Sequence, residues 1–167
     1  LVVGLAIIKA LERECKVDGF KIKWPNDVYY GNNKLAGILM ENNIHKGAQY
    51  VVIGVGVNYQ LDQKINIDIP WTDLAQILKK LPSFDILTAA FIKNILAMSK
   101  DFESKGLSTL LSEWNDYDML KGVKVRSKDS NEIFEGEVDG ISEHGALRIL
   151  TTDGVKEVYS SIHIEYI

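Results

Sequence analysis

The chain opens on a helical pattern. Over residues 1–16, Val2, Leu5, Ile8 and Leu11 recur at helical spacing with Ala6 and Ile7 beside them, while Glu12, Arg13, Glu14 and Lys16 are polar. That spacing predicts an amphipathic helix, ended by Asp18-Gly19. Phe20, Ile22 and Trp24 then alternate with Lys21 and Lys23, the two-residue period of a strand. Pro25 lacks a backbone donor and ends that pairing. Residues 28–30 predict a short strand and Gly31-Asn32-Asn33 a turn, because Gly and Asn tolerate positive φ. Residues 34–41 predict the returning strand, residues 42–46 a second turn and residues 49–57 a third strand. The run VVIGVGV is continuously apolar, so it predicts a central strand covered on both faces. Together these segments predict an antiparallel meander with helices on one side.

Residues 59–70 show no period and read as a loop. Residues 72–80 predict a short helix with Leu74, Ile77, Leu78 and Leu81 on one face. Residues 85–105 predict a longer amphipathic helix, with Ile86, Leu87, Phe91, Ile92, Ile95, Leu96 and Phe102 among its apolar positions and Gly106 at its C-terminal cap. Residues 107–115 add one more helix. From about Lys121 the texture changes to short β-rich runs, VKVRS, IFEGEVDGI, ALRILT, VKEVYSS and HIEYI, punctuated by Gly136, Gly140, Gly145 and Gly154. Such spacing predicts a small β-barrel or sandwich, with a domain boundary near residue 118.

The 167 residues suffice for one good core, or for a medium domain and a small one. A net charge of −4 argues against a surface that wraps nucleic acid, but leaves room for a local cationic pocket. Cys15 is the single cysteine, so no intrachain disulfide forms and a reducing compartment is expected. It reads as a helix-face filler rather than a nucleophile. No apolar run approaches the roughly 20 residues of a membrane span, and LVVGLAII lacks the charged leader of a signal peptide. The chain starts on Leu inside a packed-helix pattern, and a preceding N-terminal portion is expected.

Candidate chemistry concentrates in residues 23–41, KWPNDVYYGNNKLAGILME. Lys34 opens a strand of buried type, where a partly shielded ammonium attracts an anion more strongly. Gly37, and Gly54 with Gly56 on the neighbouring strand, would floor a flat ligand pocket, or would serve close helix–sheet packing. Lys23 and Asp27 flank Pro25-Asn26 in a tight turn. It would sit beside a phosphate or its magnesium, or be a surface turn with a solvated ion pair. Asn58 ends the third strand as a ligand-binding amide or a strand-end cap. Trp71 follows the loop as a stacking indole or a core anchor. His45, His144 and His163 stand far apart without metal-ligand spacing, so no zinc site is expected. There is no GxGxxG, P-loop or GxSxG motif.

The segments KWPND and KLAGIL, followed by VVIGVGVN, resemble the biotin–protein ligases, the family that includes the bacterial biotin repressor. The resemblance runs the length of the chain. It implies an α+β fold: a mixed or antiparallel sheet covered by helices, of the class II aminoacyl-tRNA-synthetase-like, biotin ligase type. Residues 1–117 would be part of the catalytic domain, and residues 118–167 an SH3-like C-terminal β-barrel. It implies an ATP-dependent ligase that forms biotinyl-5′-adenylate, with Mg²⁺, and passes biotin to a lysine of a biotin carboxyl carrier protein in the cytoplasm. By the same resemblance Lys34, with Lys23 and Asp27, is catalytic. Lys34, Gly37, Leu39, Gly54 and Gly56 bind biotin; Lys23, Asn26, Asp27, Asn58 and Trp71 bind ATP or the adenylate; and residues 59–70 form a lid that orders around it.

The chain departs from the family pattern in one respect. The family's Arg- and Gly-rich loop and its biotin-ring ligands belong upstream of the opening helix, and no winged helix is present. The chain alone is therefore expected to be inactive or nearly so, and to bind no nucleic acid. Two alternatives stand beside the ligase: a non-catalytic biotin-binding or interaction module, and a lipoate–protein-ligase-like transferase. Edge strands of the central sheet would permit a homodimer.

Overall fold

The structure is a computed structural model that describes residues 1–62, 64, 68–129, 132–160 and 164–167. Among the described residues four α-helices and nine strands follow in the order α1 (Val2–Cys15), β1 (Phe20–Lys23), β2 (Asp27–Tyr30), β3 (Asn33–His45), β4 (Ala48–Val57), α2 (Leu74–Ile77), α3 (Phe84–Lys105), α4 (Leu111–Tyr117), β5 (Lys124–Asp129), β6 (Glu132–Ile141), β7 (Leu147–Thr151), β8 (Gly154–Val158) and β9 (Ile164–Tyr166). Parts of three predicted segments lie outside the described residues: 63 and 65–67 of the loop, 161 of the run VKEVYSS, and His163 of the run HIEYI.

The first four strands form an antiparallel sheet in the order β1-β2-β3-β4, the predicted meander. Its helix-side face carries Phe20, Ile22, Val28, Leu35, Ala36 and Ile38, all buried. Against it lies α1, and the prediction of a one-sided helix does not hold there. Leu5, Ala6, Ile7, Ile8, Ala10 and Leu11 are all fully buried, because α1 has neighbours on several sides. Gly4 meets Ile22 on the sheet, where an added Cβ would sit 3.3 Å from the Ile22 Cδ1. Asn94 of α3 donates to the Ala6 carbonyl at 3.2 Å. Tyr117 of α4 donates its hydroxyl to Glu12 at 2.8 Å. Burial and then that bond push the Tyr117 hydroxyl pKa up to about 12.

Two strand predictions need correction. The turn expected at residues 42–46 is strand: β3 runs on to His45, which pairs with Ala48. The reversal is the dipeptide Lys46-Gly47, with φ of 49° and 79°, the paired positive dihedrals of a two-residue hairpin. The expected central strand, β4, is instead the edge strand of this sheet. Ile53, Val55 and Val57 pack on the core, but Tyr50, Val51 and Val52 are exposed.

Among the helices, α2 is shorter than predicted because Leu78 is already extended. The end of α3 is as predicted: Gly106, at φ 73°, donates to Phe102 O at 2.8 Å. Only part of its expected apolar face is covered. Leu87, Ala90 and Met98 are buried, whereas Ile86, Ile92, Leu96 and Phe102 are exposed. The predicted helix over residues 107–115 starts as a 3-10 turn, Ser108–Leu110, before α4.

The last five strands form a second antiparallel sheet in the order β8-β7-β6-β5-β9. Trp114, Leu120, Val125, Val138, Ile141, Leu147 and Ile149 join one core with α1 and the first sheet. This sheet therefore docks on the outer side of β1. The Met119 N–H donates to the Ile22 carbonyl at 2.9 Å, and Lys21 Nζ donates to the Asp116 carbonyl at 2.8 Å.

Candidate active site

Strand register assembles the motif. Lys23 pairs with Asp27, Asp27 with Gly37, and Gly37 with Gly56, while Leu39 pairs with Gly54. Cross-strand partners share a face, and this face is the one turned away from α1. Along it the two β4 glycines and Gly37 remove side chains from a strip of sheet, so a ligand can lie on bare backbone.

Lys34 reaches this face through a β-bulge. Val28 pairs with Ala36 but Tyr29 pairs with Lys34, so Leu35 is an extra residue. Leu35 and Ala36 are consequently both buried, and Lys34 turns to the side that strict alternation would deny it. Its Nζ lies 2.7 Å from Asp27 Oδ1, with the two side chains 28% and 24% exposed. A Cβ on Gly37 would sit 3.4 Å from Asp27 Oδ1 and 3.5 Å from Lys34 Nζ. The ion pair thus hangs directly over the glycine. An ammonium has three donors, and partial shielding strengthens its attraction for a further anion.

The remaining site residues hold this arrangement in place. Asn26 is clasped to β3 twice, with Nδ2 donating to the Ile38 carbonyl at 2.6 Å and its own carbonyl accepting from Ile38 N–H at 3.0 Å. Asn58 Nδ2 donates to Lys34 O at 3.3 Å and to Thr72 O at 2.9 Å. Trp71 bridges Lys34 as an isolated parallel pair.

Two adjoining depressions share Lys34 and Gly37. One of about 520 Å³ is lined by Asn26, Asp27, Leu39, Gly54 and Gly56 as well. The other, of about 170 Å³, adds Asn58, Ile69 and Trp71. Nine of the ten sequence-predicted residues therefore meet on one cleft. The tenth, Lys23, lines a separate depression of about 600 Å³ with Tyr29, Ile69, Pro70 and Asp118. Its Nζ lies 5.6 Å from the centre of the Tyr29 ring. Burial raises the Asp118 carboxyl above its ordinary pKa, against the pull of the Leu120 N–H that it accepts at 2.8 Å.

Two residues that the sequence reading passed over matter here. Asp73, fully buried, caps α2 by accepting from Gln76 N–H and accepts from Leu61 N–H, both at 2.8 Å. It thereby pins both stems of the 62–72 segment; an Asp directly before an apolar helical run was the available signal. Trp24 donates its indole N–H to the Gly145 carbonyl at 3.0 Å, across to the second sheet. No local pattern announces that contact.

Among the described residues no cluster of three metal-ligating side chains occurs. Asp27 is the carboxylate lining the shared cleft. One carboxylate with substrate phosphates is a normal Mg²⁺ environment.

Comparison with known proteins adds family context. The sequence model of the biotin/lipoate A/B protein ligase family matches residues 1–58. That of the biotin protein ligase C-terminal domain matches residues 121–162. The bifunctional ligase/repressor BirA of Escherichia coli is 35% identical over 160 residues, 93% of this chain and 48% of that protein. Its Bacillus subtilis counterpart is 29% identical over 168 residues, 96% of this chain and 50% of that protein. The chain thus spans about half the length of these curated relatives. The Aquifex aeolicus biotin protein ligase solved in complex with biotin and ATP superposes with a TM-score of 0.84 at 28% identity, covering 99% of this chain and 70% of that one.

Proposed function

The chain belongs to the biotin protein ligase family, and from that premise we propose that the intact protein is an ATP-dependent biotin–carboxyl-carrier-protein ligase. The observation that carries the proposal is the Lys34 ammonium held by Asp27 over the bare backbone of Gly37 and Gly56, next to Trp71. A carboxylate ligand laid along the glycine strip has its charged end at Lys34. A nucleotide in the smaller depression has its base beside Trp71 and its α-phosphate at the same ammonium.

In this reading the biotin carboxylate oxygen attacks the α-phosphorus of ATP. A P–O bond forms, the bond to pyrophosphate breaks, and biotinyl-5′-adenylate results. Negative charge grows on the phosphoryl oxygens, and a preorganised cation there is a large contributor to rate. A carrier-protein lysine amine then attacks the acyl carbon, releases AMP and loses its proton. Lys23 and Asn26 serve the phosphate side. Asp27, together with the phosphates, would hold Mg²⁺, which would offset phosphate charge. Asn58 keeps Lys34 and the Trp71 strand together beside the adenylate, and Leu39 and Gly54 extend the biotin strip.

The same reading takes residues 118–167 as an SH3-like C-terminal domain and the first sheet as part of a class II synthetase-like catalytic domain, in a cytoplasmic enzyme. The 167 residues alone are expected to turn over little, because the family's Arg- and Gly-rich loop is not among them. No described helix is long and apolar enough to cross a membrane. The test is biotin-dependent ATP–pyrophosphate exchange by the intact protein. Exchange driven by lipoate and not by biotin would replace this reading with a lipoate ligase.

A further inference from the structure

Asp27 opens β2 directly after the turn from β1, and that turn is held from two sides. On one side Asn26 is clasped to Ile38 of β3. On the other, Trp24 reaches out of the first sheet to the second, where its indole N–H meets the Gly145 carbonyl. Trp24 is only 5% exposed, and its ring packs in the common core. A phenylalanine would supply most of that packing. What the indole adds is a directed donor, and a buried indole N–H without a partner is costly.

The acceptor is a fixed point. Ser142 N–H donates to Ala146 O at 2.8 Å and Gly145 N–H donates to Ser142 O at 2.9 Å. Ser142 Oγ also accepts from Ala146 N–H at 3.2 Å. Gly145 sits at φ 83°, and a Cβ there would come within 2.9 Å of a Leu1 methyl carbon. A turn so closed, at a left-handed glycine pressed on the opening helix, has little freedom to follow a wandering partner.

We propose that Trp24 is a positioning residue: its hydrogen bond to the Gly145 carbonyl makes the second sheet one of the two anchors that set the Asp27 carboxylate against Lys34. The proposal rests on the ligase reading for its kinetic consequence, but not for its structural one. Misplacing a charged group by a fraction of an ångström is expensive when its work is to hold another charge over a reacting atom. The second sheet therefore takes part in the adenylation step without touching either substrate.

The experiment uses the intact protein. Trp24→Phe keeps a ring and removes the donor; Gly145→Ala moves the acceptor. Each is expected to lower kcat of biotin-dependent ATP–pyrophosphate exchange about five- to tenfold, with KM for biotin and ATP unchanged. The double variant should fall no further than the worse single one. Amide hydrogen exchange at Ile38 N–H, whose acceptor is Asn26 O, should speed up in both single variants. Wild-type kcat in Trp24→Phe, a change confined to KM, or additive losses in the double variant would overturn the proposal. Should Trp24→Phe fail to fold, Gly145→Ala carries the same two readouts, and wild-type kcat with wild-type exchange at Ile38 overturns it equally. If the wild-type protein shows no biotin-dependent exchange, the ligase reading fails, and protection at Ile38 still decides whether Trp24 positions the turn.

Discussion

Lys34 and Trp71 face each other across an isolated parallel bridge. The Lys34 N–H donates to Pro70 O at 2.9 Å, and the Lys34 carbonyl accepts from Thr72 N–H at 3.0 Å. The cation and the aromatic ring of the cleft thus share one backbone ladder, with Asn58 Nδ2 bonded to both sides of it. These bonds involve no atom of the Trp71 ring. Replacing the ring therefore leaves the position of Lys34 intact.

Trp71→Ala is accordingly expected to raise KM for ATP about 10- to 100-fold, the worth of one base–aromatic stack, while KM for biotin stays near wild type. Steady-state pyrophosphate exchange with each substrate varied in turn measures both. Equal loss for biotin and ATP would show that the ring shapes the whole cleft instead of the nucleotide end.

Lys34→Ala removes the ammonium from over Gly37 and leaves Asp27 without its partner. Exchange in the intact protein should drop about 10²- to 10³-fold, as when a transition-state donor is deleted elsewhere. Rates within a factor of a few of wild type would remove Lys34 from the chemistry.

Gly37→Val fills the strip beneath the ion pair. The backbone there is not left-handed, and what an added side chain meets is the ends of the Asp27 and Lys34 side chains at 3.4 and 3.5 Å, so the fold should survive. Biotin should bind at least about tenfold more weakly, read as KM or by direct titration. Unaltered biotin affinity together with a lowered melting temperature would point to packing in place of ligand space.

Asp118 supplies a pH test. Burial raises its folded pKa above the ordinary value of 3.8. An acid that holds its proton more tightly when folded supports the fold below pH 3.8, and that support is lost as pH rises through the raised value. Asp118→Asn keeps an oxygen for the Leu120 N–H and carries no charge. It should melt higher than wild type at pH 7, and the difference should close as pH falls below 3.8. A pH-independent difference, or a less stable variant at neutral pH, would contradict this.

Much of this was open to reading in the chain. The opening helix, the antiparallel meander and the long helix closed by Gly106 follow from period and punctuation. The pairing of Lys34 and Asp27 over Gly37 follows only in part. Both residues stand in a dense polar stretch, but the bulge at Leu35 that turns Lys34 to the open face leaves no mark on alternation beyond two adjacent apolar residues. The hairpin at Lys46-Gly47 hid behind Asn42 and Asn43, which look like turn formers and pair as strand. The covered face of α3 could not be picked out because apolar residues run almost around the helix. Contacts set by tertiary docking, such as Trp24 with Gly145 and Asp73 with Leu61, have no local signature.

The bulge has one consequence beyond the cleft. Flattening the bulge with Leu35 still in place would put Lys34 in phase with Ala36 and swing the ammonium toward the layer of Leu5, Ile8 and Ile22. No chain of this composition could solvate a charge there. One backbone irregularity therefore separates a reagent from a folding defect, and losing the bulge while Leu35 remains would cost stability before it is ever tested for function.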